Sequence, residues 1–263
     1  MRLLKSTAMF FRLDRCGLIV LLLLWLSTGA RASVSLFLYE TVSGANRWHS
    51  FGHVAIHLSN VCADSGNRLR LCQPGEKGVV LSTYRNFGAR ENYKWLALPL
   101  EPCLYGVEGE DKVPLYADGK VRALLVEAYR RERLNSLIPA PAAGQIPPGD
   151  WSSMLGAGLS RTIYSFTVKT TLDQDVALVE EFNRAPNVNH FNSITSNCSD
   201  FVANVLNQYF PRSVQKDLLS DLGAMTPKAA AKSFARYAAA RPELIYSVTR
   251  HRSDPEIGAE KMP

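Results

Sequence analysis

Two apolar rhythms divide this chain, and their order leaves few folds open. Ser33 to Thr41 (SVSLFLYET) alternates with period two and is rich in aromatic and branched residues, the signature of a strand. His53 to Ser59, Gly78 to Arg85, Tyr93 to Leu100 and Thr162 to Thr170 repeat it. The second and third of these strands are expected to join as a long hairpin, and Pro99 and Pro102 to end the fourth. Helical spacing appears elsewhere. Lys120 to Leu134 places Val121, Leu124, Leu125 and Ala128 on one side, with Asp118 or Gly119 as cap. Asp173 caps a run through Phe182, and Val202, Val205, Leu206 and Tyr209 form a stripe after Cys198. Two further helices are expected over Val214 to Leu222 and from Thr226-Pro227 to just before Pro242. Ile138 to Gly149 is too rich in proline for either element. Strands grouped first and helices later predict an α+β domain with an antiparallel sheet, not alternating βαβ units.

The amino terminus reads as an address. Arg2, Lys5, Arg12 and Arg15 precede the apolar run Gly17 to Leu26, and Ala30-Arg31-Ala32 fits a small-x-small cleavage site. Residues 1–32 are therefore expected to be a signal peptide, 33–248 the folded domain and 249–263 a flexible tail. The run is short for a bilayer span, which needs roughly 20 apolar residues. An uncleaved anchor is the other reading. Membrane association is expected only through this segment or through the substrate, and a periplasmic or secreted destination follows.

The leader also carries most of the charge. The chain has a formal net charge of +6, and five basic residues against Asp14 lie within positions 1–32. The mature part is nearly neutral, which removes the electrostatic basis for a nucleic-acid partner.

Four cysteines follow the leader: Cys62, Cys72, Cys103 and Cys198. Export permits disulfides. Cys62 and Cys72 flank a polar stretch and are the candidates to close a small loop between two strands.

Cys198 follows Ser196 and Asn197, either of which suits a helix N-cap. In a first helical turn, unpaired backbone N–H groups and the positive dipole end favour a thiolate. His53 follows a glycine and opens a strand, sharing a face with Ala55 and His57. A thiol and a base are the first requirements of covalent acyl transfer. His57 sits about 13 Å along the strand at roughly 3.3 Å per residue, too far to share one thiolate with His53. A four-residue histidine spacing suits zinc on a helix and not on a strand, so no metal is expected.

Gly52-His53 at a strand head, followed much later by Asn197-Cys198-Ser-Asp-Phe-Val at a helix start, resembles the circularly permuted NlpC/P60-like branch of the papain-like superfamily. Lecithin:retinol acyltransferase-like proteins and several bacterial periplasmic hydrolases belong to it. The likeness spans about Ser33 to Phe210. It implies a permuted papain-like fold with the antiparallel sheet packed against the cysteine helix, Cys198 as nucleophile, His53 as base, and no cofactor. A third, orienting polar residue is implied on the strand after the histidine strand. There Ser82, Tyr84 and Asn86 come opposite His53, with His57 and Glu91 as further candidates. Asn197 and the backbone N–H of Cys198 are candidates for the oxyanion. The expected activity is a cell-envelope thiol hydrolase cutting an amide bond, with a peptidoglycan peptide as substrate. The alternatives are a thiol acyltransferase or deacylase acting on lipid or lipoprotein acyl chains, and a catalytically silent binding domain.

Overall fold

The computed structural model describes residues 32–40, 52–115, 117–142, 149–216 and 224–251. The signal-peptide reading (but for Ala32), the lead-in His49 to Phe51, most of the Val214 to Leu222 helix and the tail beyond His251 lie outside the described residues.

Six strands form one sheet in which every neighbouring pair is antiparallel. They are β1 (Ser33–Tyr39), β2 (His53–Leu58), β5 (Val79–Ser82), β6 (Leu96–Pro99), β7 (Ile163–Lys169) and β8 (Tyr246–His251), in the order β6-β5-β2-β1-β7-β8. The chain is thus α+β with an antiparallel sheet, as the grouping of rhythms predicts. β3 (Val61–Ser65) and β4 (Arg68–Leu71) make a separate two-stranded hairpin between β2 and β5. The expected long hairpin is therefore interrupted, although β2 and β5 still pair, with His57 opposite Val80. A Cys62–Cys72 disulfide staples this insertion. Glu76 shares a cluster of ligand-type atoms with this pair, but sulfur atoms bonded to each other have no thiolate to offer a metal.

The period-two pattern works because both sheet faces are covered. Val34, Leu36, Val54, Ile56, Leu58, Val79, Leu81 and Val168 point into one core. That core is closed by α3 (Leu172–Arg184), α4 (Cys198–Tyr209) and α5 (Pro227–Ala239). Phe37, Tyr39, Ala55, Val80, Leu96 and Leu98 point the other way. There they meet α1 (Leu100–Tyr105), α2 (Gly119–Tyr129, continued by a wide turn over Arg130–Leu134) and the segment around Trp151 to Ala157. β2 is buried along its whole length, because it lies in the middle of the sheet with a layer on each side.

Three expectations need correction. Pro99 does end β6, but Pro102 sits inside α1, where the first helical turn needs no N–H from it. Residues 249–251 belong to β8 and not to a tail: Tyr246 to His251 pair with β7 from Val168 to Ile163. This edge strand is mostly exposed and polar, so it lacks the alternation that marks a strand in sequence. Residues 214–216 are not helical, because Val214 is held by Asn207, whose side chain bonds both its N–H and its carbonyl. No described helix is long and apolar enough to cross a membrane.

Candidate active site

The first turn of α4 is built by Asn197. Its Oδ1 accepts from the N–H of Ser199 at 2.8 Å and of Asp200 at 3.2 Å, and Asp200 Oδ2 accepts from the Asn197 N–H at 3.0 Å. This reciprocal capping box satisfies the free donors of the helix start. The Asn197 Nδ2 donates to the carbonyls of Ser193 and Met225, at 3.1 and 3.2 Å. Both ends of the amide are engaged, so Asn197 positions the turn and has no donor left for an oxyanion. Lys216 closes on Asp200 at 2.7 Å and anchors the same turn from outside.

Cys198 is the first residue of this helix and lies half-buried against the core beneath β2. The backbone N–H of Val54, the groups of Ser199 and its own backbone N–H lie close enough to the sulfur to favour a thiolate. The Ser199 hydroxyl is fully buried and has no hydrogen-bond partner among the described residues. Sequence reasoning passed over it, since a serine after a cap is unremarkable.

Val54 immediately follows His53. The two side chains leave β2 on opposite faces, Val54 toward α4 and His53 toward the second core. Gly52, which precedes His53, takes a positive φ of 74°, a conformation open to glycine. The Tyr84 ring stacks on His53 with centroids 4.3 Å apart, and burial pushes its phenol pKa up, with a lesser contribution from Cys198.

The His53 Nε2 lies 2.6 Å from Ser82 Oγ, and both residues are buried. Nδ1 is the ring nitrogen left for chemistry. If Nε2 donates to Ser82, Nδ1 is an unprotonated base. Burial, reinforced by the Arg161 guanidinium, pushes the His53 pKa down to about 3. Cys198 is pushed up from the ordinary thiol value by burial, against the lowering effect of the N–H groups on its sulfur. The thiolate expected from the helix start is thus overruled by desolvation, and the resting pair is neutral thiol and neutral imidazole.

The other nominated residues separate clearly. Tyr84 joins the site, whereas Asn86 faces away, its side chain accepting from the Gly88 N–H and its carbonyl from the Asp150 N–H. His57 is bonded through Nε2 to the Lys77 carbonyl at 3.0 Å and stacks on Phe37, so it serves the far end of β2. Burial drives its pKa to about 4. Glu91 is an exposed loop residue. Cys103 and Cys198 are both free thiols. Cys103 is buried beside the Tyr39 hydroxyl, 3.6 Å away, and burial pushes it up to about 11. Trp151, Met154 and Leu155 pack into the second core, not along a groove.

Two residues that sequence reasoning missed adjoin the site. Arg161 lies over the Tyr39 ring at 4.6 Å, and Tyr39 in turn packs against His53 at 5.5 Å. Arg122, on α2, feels the Arg161 charge. No sequence signal marks either, because lone arginines are usually solvated.

No family model and no curated protein matches the chain. A crystal structure of the type VI secretion system effector TseH is similar over 83% of this chain and 100% of its own, at 11% identity and a TM-score of 0.38. That level of likeness assigns neither fold family nor activity to this protein.

Proposed function

We propose that the chain is an exported thiol hydrolase of the cell envelope with a permuted papain-like fold, cutting an amide bond in a peptidoglycan peptide through Cys198 and His53. The observation that carries this reading is a capped helix start that holds Cys198 against the core beneath β2, the strand whose first residue is a buried, serine-bonded histidine. Core packing alone does not require a histidine there.

The His53 Nδ1 takes the Cys198 proton as the sulfur attacks the carbonyl carbon, so no charged pair need exist beforehand. The developing oxyanion is met by the backbone N–H of Cys198, the helix-start donor that the Asn197 cap does not occupy. His53 returns the proton to the departing amine. Water then attacks the thioester, giving up a proton to His53 and releasing the acid and the free thiol. Ser82 orients the ring, and Tyr84 holds it flat.

One observation favours a second reading, a silent binding domain: the pair is neutral at rest, and the imidazole is 8% exposed. Nothing in the Trp151 segment favours an acyl-chain groove. The test is digestion of purified peptidoglycan by the mature protein, read as new amino termini by mass spectrometry. Activity lost in both Cys198→Ala and His53→Ala supports the hydrolase. Product of equal yield from Cys198→Ala, or none from wild type, sinks it. Release of fatty acid from phospholipid vesicles instead would move the assignment to lipid acyl chains.

A further inference from the structure

The buried hydroxyls of Ser35, Ser82, Thr83, Ser165 and Ser213 each meet a side chain or a carbonyl. Ser199 differs. It is 0% exposed, and its Oγ has no hydrogen-bond partner among the described residues. Its backbone is firmly placed, with the N–H donating to Asn197 Oδ1 at 2.8 Å inside the capping box. The hydroxyl is therefore held in the first turn of α4, closed to solvent and engaged by nothing at rest. Arg122 Nε and Trp151 Nε1 are also buried without a partner, but they belong to the layer on the other side of the sheet.

Core packing does not account for Ser199. An orphaned buried hydroxyl costs stability, because it gives up water without regaining a bond. Alanine is one atom smaller, has no polar group to satisfy and is the better helix former. Within reach of the hydroxyl is the neighbouring sulfur. Ser199 is among the groups close enough to Cys198 to favour a thiolate, and its effect there opposes that of burial. A thiol is a weak acceptor, and adjacent side chains leave a helix about 100° apart, which fits the missing bond in the resting pair. A thiolate is a far better acceptor, since hydrogen bonds to an ionised partner are roughly twice as strong as neutral ones.

We propose that Ser199 is a further catalytic residue of the site, its hydroxyl left unpaired in the resting protein and donating to the Cys198 sulfur whenever that atom carries negative charge. The inference rests on the Cys198–His53 reading and deepens it. Charge collects on the sulfur twice in that reaction. It does so as His53 draws off the thiol proton during attack, and again as the thioester C–S bond breaks and its electron pair returns to sulfur. Ser199 donates in both steps and keeps its own proton throughout, so it is neither acid, base nor nucleophile.

The test is the titration of Cys198 itself, read from the Cβ chemical shift of carbon-13-labelled cysteine in the full mature protein. Cys198→Ala and Cys103→Ala assign the signals. Ser199→Ala removes one atom and leaves the cap intact, because the cap uses the backbone N–H of this residue. It should raise the Cys198 midpoint by about one pH unit, a tenfold loss of thiolate at any pH well below it. Its melting temperature at neutral pH should hold or rise, since the hydroxyl has no partner to lose there. An unmoved midpoint overturns the proposal. So does a melting temperature several degrees lower, which would reveal a structural bond, or a wild-type Cys198 that stays a thiol until alkali unfolds the protein. Digestion of peptidoglycan is measured in parallel. Wild-type activity with an unmoved midpoint is failure of the Ser199 assignment alone. A raised midpoint in a protein whose wild type cuts nothing upholds the hydroxyl–sulfur contact and is failure of the hydrolase reading instead.

Discussion

Acid should unfold this protein through two histidines, and the size of the effect follows from their burial. His53 and His57 titrate in the folded state at about 3 and about 4, against 6.5 for the exposed side chain, with burial the largest cause of each shift. Both are less than a tenth exposed, so solvent screens them little. The sign follows directly. Below pH 6.5 the unfolded chain binds two protons that the folded chain refuses, so stability falls as pH falls, down to the folded values. Each histidine contributes about 1.4 kcal/mol per pH unit in that window. Between pH 6.5, where each unfolded ring is half protonated, and pH 5 the pair therefore removes about 3 kcal/mol, a large part of the roughly 5–15 kcal/mol a domain possesses. With a urea slope of about 2–3 kcal/mol per molar, the unfolding midpoint should fall by about 1–1.5 M over that interval. Urea titrations at pH 6.5, 6.0, 5.5 and 5.0, followed by tryptophan fluorescence, measure it. His57→Gln should halve the slope while preserving the bond to the Lys77 carbonyl. A midpoint that moves by less than about 0.3 M across the series would show that neither ring is held neutral, and would refute the burial argument together with the neutral-base mechanism.

Other expectations are independent of that one. Iodoacetamide labelling of Cys198 should climb with pH and level off above the ordinary thiol value, because burial raises its pKa; a plateau already reached below pH 7 would instead reveal a preformed thiolate. Asn197→Ala should cost about 1–2 kcal/mol from the lost cap, plus about 1 kcal/mol for the carbonyls of Ser193 and Met225. Asn197→Asp should restore the cap portion alone, and thermal melts of the two variants distinguish these contributions. Opening the Cys62–Cys72 bridge as a Cys62→Ser/Cys72→Ser pair should cost about 2–3 kcal/mol by loop entropy, given a sequence separation of 10. Denaturant unfolding that shows no change would place the hairpin's stability elsewhere.

Five of the strands could be read from residue order, since β1, β2 and β7 match their alternating segments to within a residue or two and β5 and β6 lie inside theirs. The helix start at Cys198 was equally open, because Asn197 and Asp200 spell a capping box on their own. Three elements left no such trace. The β3–β4 hairpin is short and polar at its tip, α1 begins between two prolines, and β8 borrows its shape from β7. In each the neighbours supply the order, not the local pattern.

The site divides in the same way. Cys198, His53 and Ser82 were visible as residue types suited to acyl transfer, each on an element whose period was plain. Alternation along β2 also implied that His53 and Val54 face opposite ways. Tertiary structure decided the rest. It set the protonation of the pair, because desolvation outweighs the helix dipole once helices cover both faces of the sheet. It removed His57 and Asn86 from the site, and it brought Arg161 from a distant turn to within one ring of His53. Periodicity reports which face a residue occupies. Electrostatics depends on what the fold stacks over that face, and no local pattern in the chain encodes it.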